Sequence, residues 1–408
     1  MSGAAHIEPP WLKERATQRL LAAFAASGIE ARFVGGAVRD ALLPQEGATN
    51  GDIDVASPAR PEQVTEALER AGIKVVPTGV AHGTVTAVVP PRTFEITTLR
   101  RDVETYGRHA KVAFDADWAA DAARRDFTIN AIFLDPAGAV HDPVGGVADL
   151  SARRVRFVGN AAQRISEDVL RLLRYYRFEA RFGGGAGDAE ARAACRKAVP
   201  KLPTLSAERV RHELMGLFGA PQPVPALRMM QEDGVLAAVL PEARRLDRLE
   251  RLIPLEPHAD PLRRLAAAIS VDAAGATALA ARLRFSNAER ERLVRLAEPW
   301  PLDPAADAKV RRLALYRLGR ERFRDLALLA AAEGRLDAAR LPEFLALAES
   351  WRPPAFPLGG RDVGALGVPP GPRTGRLLAT VREWWEAGDF TADREACLAQ
   401  LARLAAER

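Results

Sequence analysis

Cysteine is almost absent: Cys195 and Cys397 are the only two in 408 residues. They stand far apart with no partner at metal-ligand spacing, which excludes a disulfide framework and gives no sign of a zinc site, so both are read as buried thiols. The six histidines are scattered, without a His-x-x-x-His pair or a Cys/His cluster, and no structural metal is suggested. Long apolar runs are missing too. Nothing approaches the ~18 consecutive apolar residues that cross a bilayer, so no membrane span is expected. Residues Met1 to Trp11 hold His6, Glu8 and two prolines where a secretory signal needs a basic start and an apolar stretch, which points to a cytoplasmic protein. Lysine is scarce: six lysines leave 52 of the 58 basic residues as arginine. Arginine is the better bidentate ligand for phosphate, but a GC-rich coding background also yields arginine and alanine in excess. Only particular arginines therefore carry weight.

What remains is a globular composition, 48% hydrophobic and 27% charged, long enough for two to four domains of roughly 100–200 residues each. The formal net charge of +5 fits a polyanionic partner without identifying one. From about residue 30 to 160, short β-like runs alternate with helical ones. Ala31 to Val34, Ile53 to Ala56, Thr84 to Val89, Phe94 to Thr98 and Ile132 to Asp135 read as strands, being apolar or β-branched and bounded by Gly, Pro or Asp. Beyond residue 160 the chain turns Ala-, Leu-, Arg- and Glu-rich with helical periodicity. Breaks at Gly183 to Gly185, Gly219 to Pro225 and Pro353 to Pro372 should divide it. The fold class is thus α+β, a mixed-sheet head followed by an all-helical region.

Four constellations bear chemistry. The first is Phe33-Val34-Gly35-Gly36-Ala37-Val38-Arg39-Asp40, a strand, a glycine turn and a helix. Such a turn lets backbone N–H groups approach a phosphate, although Gly-Gly also serves in a plain tight turn. The second is Asp52-Ile53-Asp54-Val55. Side chains at i and i+2 of a strand share a face, so the two carboxylates would project together while Ile53 and Val55 enter the core. A shared divalent cation is the easiest way to hold both charges; the bland alternative is a solvated acidic turn. Third comes Arg124-Arg125-Asp126-Phe127-Thr128-Ile129-Asn130-Ala131, with His141-Asp142-Pro143-Val144-Gly145-Gly146 and Asp149 beyond it. These residues can bind ribose or phosphate, or simply cap a helix. The fourth runs from Ile165 to Phe178 and reads as one helix, with Ile165, Val169, Leu172, Leu173 and Tyr176 as its buried stripe. Asp168, Arg171, Arg174 and Arg177 recur every three residues off that stripe, as a binding ladder or as a solvated charged face.

In order and approximate spacing these four constellations resemble the class II tRNA nucleotidyltransferases and bacterial poly(A) polymerases, of the polymerase-β-like nucleotidyltransferase superfamily. Leu205 to Val210 with Glu213 looks like the neck-stabilising motif of that family, and Gly360 to Leu378 looks like its tail. The resemblance implies a catalytic head over residues 1–155, a neck with a nucleotide-base template over 156–220, a body over 221–300 and a tail over 301–408 that grips tRNA. It makes Asp52 and Asp54 the catalytic Mg²⁺ ligands, with Glu95 as a third acidic residue. Gly36, Arg39 and Arg125 become nucleotide contacts, Asp168 and Arg171 the amino-acid template for the incoming base, and Arg174 and Arg177 the rest of the nucleotide site. Asp102 to Trp118 matches the flexible loop of the family at full length, which goes with complete CCA addition. The implied partners are the tRNA 3′ end, CTP and ATP, with no membrane and no obligatory protein partner. Competing readings are a poly(A) polymerase, a partial enzyme adding only CC or only A, and a non-catalytic RNA-binding protein. A dinucleotide oxidoreductase fits worse, because the glycine turn lacks the third glycine of Gly-x-Gly-x-x-Gly.

Overall fold

A computed structural model describes residues 5–43, 53–79, 83–106, 109–114, 116–303 and 305–407, with 101–114 described as backbone. The chain divides into two compact units, Met1–Ala243 and Arg244–Arg408.

In the first unit the described strands are β1 (Arg32–Val34), β2 (Ile53–Ser57), β3 (Lys74–Gly79), β4 (Thr84–Val89), β5 (Arg92–Thr98), β6 (Arg100–Tyr106), β7 (His109–Phe114), β8 (Phe133–Leu134) and β9 (Val140–His141). Seven of them form one sheet in the order β3-β4-β5-β2-β1-β8-β9, and β6 pairs with β7 apart from it. Only β2 and β5 run parallel; the other pairings are antiparallel. The helices of this unit are α1 (Arg15–Ala26), α2 (Gly36–Ala41), α3 (Pro61–Arg70), α4 (Trp118–Ala123), α5 (Gly146–Ser151), α6 (Ala161–Glu167), α7 (Leu170–Phe182), α8 (Ala189–Ala198), α9 (Ala207–Phe218), α10 (Pro223–Glu232) and α11 (Val235–Val239).

The strand β2 divides two apolar clusters, as its alternation requires. Ile53 and Val55 pack with Leu20 and Phe24 of α1, Val64 and Leu68 of α3, and Phe33, Phe94 and Ile96 of the sheet. Each such side chain contributes about 1.5–3 kcal/mol on burial. On the opposite face Ala56 joins Val34, Leu99, Ala122 and Phe133, and Asp54 lies on this second face, half-buried.

Three departures from the sequence reading have physical causes. Strand β3 contains Pro77 and went unread; it sits at the sheet edge, where a missing N–H is tolerated. The segment expected as a flexible loop pairs as the β6–β7 hairpin. Its charge-rich sequence, with Arg100, Arg101, Asp102 and Glu104 close together, hides the strands, which pair with each other apart from the main sheet. The single helix expected from Ile165 to Phe178 is two, α6 and α7, broken at Asp168, whose backbone is extended at φ −148, ψ 110. The cause is local: Asp168 Oδ1 accepts from the Leu170 N–H, 3.1 Å away, so its side chain satisfies a donor at the start of α7.

The second unit is helical: α12 (Leu246–Leu252), α13 (Pro261–Ala268), α14 (Ala273–Arg282), α15 (Asn287–Ala297), α16 (Ala308–Leu318), α17 (Arg320–Ala332), α18 (Leu341–Ser350), α19 (Gly360–Ala365), α20 (Pro372–Ala387) and α21 (Arg394–Ala406). No described helix is long and apolar enough to cross a membrane. Cys195 and Cys397 are buried free thiols.

Candidate active site

β1 delivers Val34 opposite Asp54 and then turns at Gly35, whose φ is +77°. That left-handed backbone favours glycine, and so does space: a Cβ at Gly35 would lie 3.2 Å from Asp54 Oδ2. The glycine turn therefore passes directly over the carboxylate. In the parallel register of β2 and β5, Asp54 is beside Glu95, which puts two carboxylate side chains next to each other on one sheet face. Asp52 lies outside the described residues, so the expected Asp52/Asp54 pair is seen only at Asp54. Among the described residues no group of three or more His, Cys, Asp or Glu is placed to hold a metal. Asp54 and Glu95 nonetheless offer oxygen ligands of the type Mg²⁺ takes.

Arg125 comes to the same neighbourhood. Its guanidinium donates to Asp121 Oδ2 from Nε at 3.2 Å and Nη2 at 2.9 Å, lies 5.4 Å from the Phe133 ring centre, and feels the charge of Asp54. Burial pulls this guanidinium below its ordinary range, against the attraction of Asp121. Asp121, 1% exposed, also accepts from Arg124 at 2.7 Å. Its role went unread, although Asp at i with Arg at i+3 and i+4 on a helix is a visible signal.

A chain of polar contacts then runs from the turn to α7. Arg39 donates from Nε to Asp40 Oδ1 at 2.8 Å and from Nη1 to Asn130 Oδ1 at 2.7 Å. Asn130 Nδ2 donates to Asp126 Oδ1 at 3.0 Å. Asp126 Oδ2 accepts from Arg174 Nε at 2.8 Å and Nη2 at 2.6 Å. Burial alone would raise the Asp126 carboxyl, but Arg174, Asn130 and the Phe127 N–H outweigh it and hold it below the usual carboxylate range. Glu213 of α9 closes the chain, 2.6 Å from Arg177 and 3.9 Å from Arg174. Arg39, Asn130, Asp126, Arg174 and Arg177 are thus brought together.

Asp168 and Arg171 have other partners. Asp168 Oδ2 accepts from Arg209 Nη2 of α9 at 2.6 Å, and Arg171 Nη1 donates to Glu167 at 2.5 Å. All four side chains remain partly exposed. The ladder is therefore not a set of mutual pairs on a solvated face: each member is held by a partner outside it.

A mixed sheet that lays a glycine turn over an acidic strand, with Arg174 of α7 tied to it through Asp126, is the arrangement of a nucleotidyltransferase head. Residues 31–156 match the family model described as "Poly A polymerase head domain", and 188–246 match "Probable RNA and SrmB- binding site of polymerase A". The mouse protein named CCA tRNA nucleotidyltransferase 1, mitochondrial, is 33% identical over 394 residues, covering 93% of this chain and 88% of that one. The CCA-adding enzyme of Geobacillus stearothermophilus is 39% identical over 216 residues, about half of each chain at 52% and 51%. The crystal structure of the Bacillus stearothermophilus CCA-adding enzyme in complex with CTP superposes with a TM-score of 0.78 at 28% identity, covering 96% of this chain and 98% of that one. The chain belongs to the CCA tRNA nucleotidyltransferase family, and it is an enzyme of that class.

Proposed function

We propose that this enzyme builds the CCA end of tRNA from CTP and ATP, the RNA 3′-hydroxyl attacking the α-phosphorus and pyrophosphate leaving. The observation that carries this reading is the placement, in one compact unit, of the Gly35–Gly36 turn over Asp54 together with the Asp168 and Arg171 ends of α6 and α7. The backbone at Gly36 and the guanidinium of Arg125 receive the triphosphate. Asp52 and Asp54, with Glu95 beside Asp54, are the residues that would hold Mg²⁺. When bound, Mg²⁺ supplies positive charge that acidifies the 3′-hydroxyl and steadies the leaving pyrophosphate. No side-chain nucleophile is needed, and positioning with charge neutralisation supplies the rate.

Asp168 accepts a hydrogen bond from an exocyclic amine and Arg171 donates to the adjacent ring nitrogen or carbonyl. Cytosine and adenine both present that pair; uracil and guanine place a carbonyl where the amine belongs. Exchanging partly exposed ion pairs with Arg209 and Glu167 for a base costs little, since such pairs are worth about 0–1 kcal/mol. Arg174 and Arg177, anchored by Asp126 and Glu213, complete the nucleotide site. Residues 1–155 act as catalytic head and 156–220 as neck, and the later helices hold the RNA.

The test offers purified protein a tRNA lacking its 3′ end, with CTP and ATP separately and together, beside an oligo(A) primer. Three discrete additions on tRNA alone are expected. A long ladder on oligo(A) would instead establish a poly(A) polymerase. In the same assay Asp54→Ala should abolish incorporation of both nucleotides while tRNA binding survives; near-normal turnover in that variant removes Asp54 from the chemistry.

A further inference from the structure

We propose that Arg39 is a positioning residue that locks the base-reading helix α7 to the glycine turn, and thereby couples base selection to transfer. The inference rests on the functional reading above and concerns a residue that acts through others rather than on the nucleotide.

Arg39 is 8% exposed, and its guanidinium is used on both edges and on its face. The edges hold Asp40 and Asn130. The face lies 4.0 Å from the ring centre of Phe182 and 5.4 Å from that of Phe178. Arg174, Phe178 and Phe182 occupy positions i, i+4 and i+8 of α7, so they line one face of the helix over about 12 Å at 1.5 Å per residue. Arg39 meets the far end of that face directly, by stacking on Phe182. It reaches the near end through a relay, Asn130 to Asp126 to Arg174. A helix held at two points along its length cannot roll or tilt against the turn without breaking one of them. Asp168 and Arg171 lie at the start of this helix; their angle to the turn is set by the same two points. The relay is also directional, because Asn130 accepts from Arg39 with its oxygen and donates to Asp126 with its nitrogen.

Lysine separates this role from a phosphate contact. It keeps the charge but has neither a planar fork nor a face to stack. The experiment compares wild type with Arg39→Lys, Arg39→Ala, Phe182→Leu and the Arg39→Lys/Phe182→Leu double variant. Single-nucleotide addition on one tRNA is followed with each of the four nucleotides, below the Tm of every variant. Arg39→Lys should lose at least tenfold in kcat for CTP and ATP with KM changed less than threefold, and its margin over UTP and GTP should narrow at least fivefold. Phe182→Leu should move both quantities the same way, and the double variant should be no worse than Arg39→Lys within twofold. Phe182→Leu keeps an apolar side chain and reports the coupling even where the lysine variant does not fold. Wild-type kcat in Arg39→Lys with raised nucleotide KM in Arg39→Ala would make Arg39 a phosphate contact and overturn the proposal. So would variants that lower only Tm while kcat and base margin stay as in wild type. Wild-type protein unable to extend any RNA would overturn the functional reading itself, an outcome distinct from an active enzyme whose variants show no coupling.

Discussion

At the scale of the residue, Glu179 shows how a burial cost becomes a pH dependence. It is 4% exposed on α7; the Tyr175 hydroxyl and the Val155 N–H bond its carboxyl, yet Oε2 has no partner among the described residues. Desolvation pushes its pKa up to about 7 from 4.5, against the hydrogen bond from Tyr175. Below pH ~4.5 the folded and unfolded chains both carry the proton, and the group makes no difference. Between about 4.5 and 7 the unfolded chain releases it first, so stability falls as pH rises, by about 3 kcal/mol once the folded pKa is passed. Glu179→Gln should flatten that part of the profile, as read by denaturant unfolding at pH 5 and pH 8; parallel profiles for variant and wild type would refute it. The template pair makes a second prediction. Asp168→Ala and Arg171→Ala should each lower CTP and ATP incorporation and narrow the margin over UTP and GTP roughly tenfold to a hundredfold, the worth of an unpaired polar group once the bound base covers it. Values of kcat/KM for four nucleotides on one tRNA decide it, and unchanged discrimination in both variants would end the template assignment. Residue types at these positions were legible because acids and arginines recur at fixed spacing. Their partners were not: Asp168 is held by Arg209, 41 positions away, and Asp126 by Arg174, 48 positions away, and no local pattern encodes such pairings.

At the scale of the element, the long core strands and the helix breaks were readable. Thr84–Val89 alternates and is flanked by turns, and α7 stops at Gly183 while α10 starts at Pro223. The edge strand β3 and the α6–α7 break were not, because each depends on a neighbour: a free sheet edge in one case, a side chain capping the next helix in the other. Close approach of elements is likewise invisible until the chain is folded. The helix α5 begins at Gly146, and a Cβ there would stand 2.1 Å from the Thr128 carbonyl oxygen. Thr128 also donates to buried Asp149 at 2.6 Å, so this contact seats α5 against the segment carrying Asp126 and Asn130. Backbone cannot yield as a flexible side chain does. Gly146→Ala should therefore destabilise the protein by about 1–3 kcal/mol, the usual cost of overpacking, and lower kcat with it, because the Asn130 relay shifts. Thermal unfolding beside a transfer assay tests this; a variant with wild-type Tm would show that the contact relaxes freely.

At the scale of the whole molecule, an α+β head followed by helices was legible from periodicity alone, whereas the point at which the chain divides was not. Nothing in composition marks Ala243, yet the first compact unit ends there. A cut at residue 301 would pass through the second unit instead. Arg263, 3% exposed, donates to Asp325 of α17 at 2.9 Å, and Arg292 of α15 donates to the same carboxylate at 2.7 Å. Removing Asp325 takes the shared carboxylate from both arginines, leaving Arg263 to Glu256 and Arg292 to Asp260, and so breaks a partly buried charge network. The informative truncation is residues 1–243. Both apolar clusters of the sheet lie within it, as do Gly36, Asp54, Arg125, Asp168 and Arg171, so the fragment should fold and bind CTP within threefold of the full chain. RNA affinity depends on how many phosphates are neutralised, and log K falls with log salt in proportion to that number. If the second unit carries part of those contacts, its removal should lower tRNA affinity at least tenfold and also flatten the salt dependence. Equilibrium nucleotide binding, with tRNA binding at two salt concentrations, measures both quantities on the same fragment. A folded fragment with full tRNA affinity and an unchanged slope would place the whole RNA grip in the first unit.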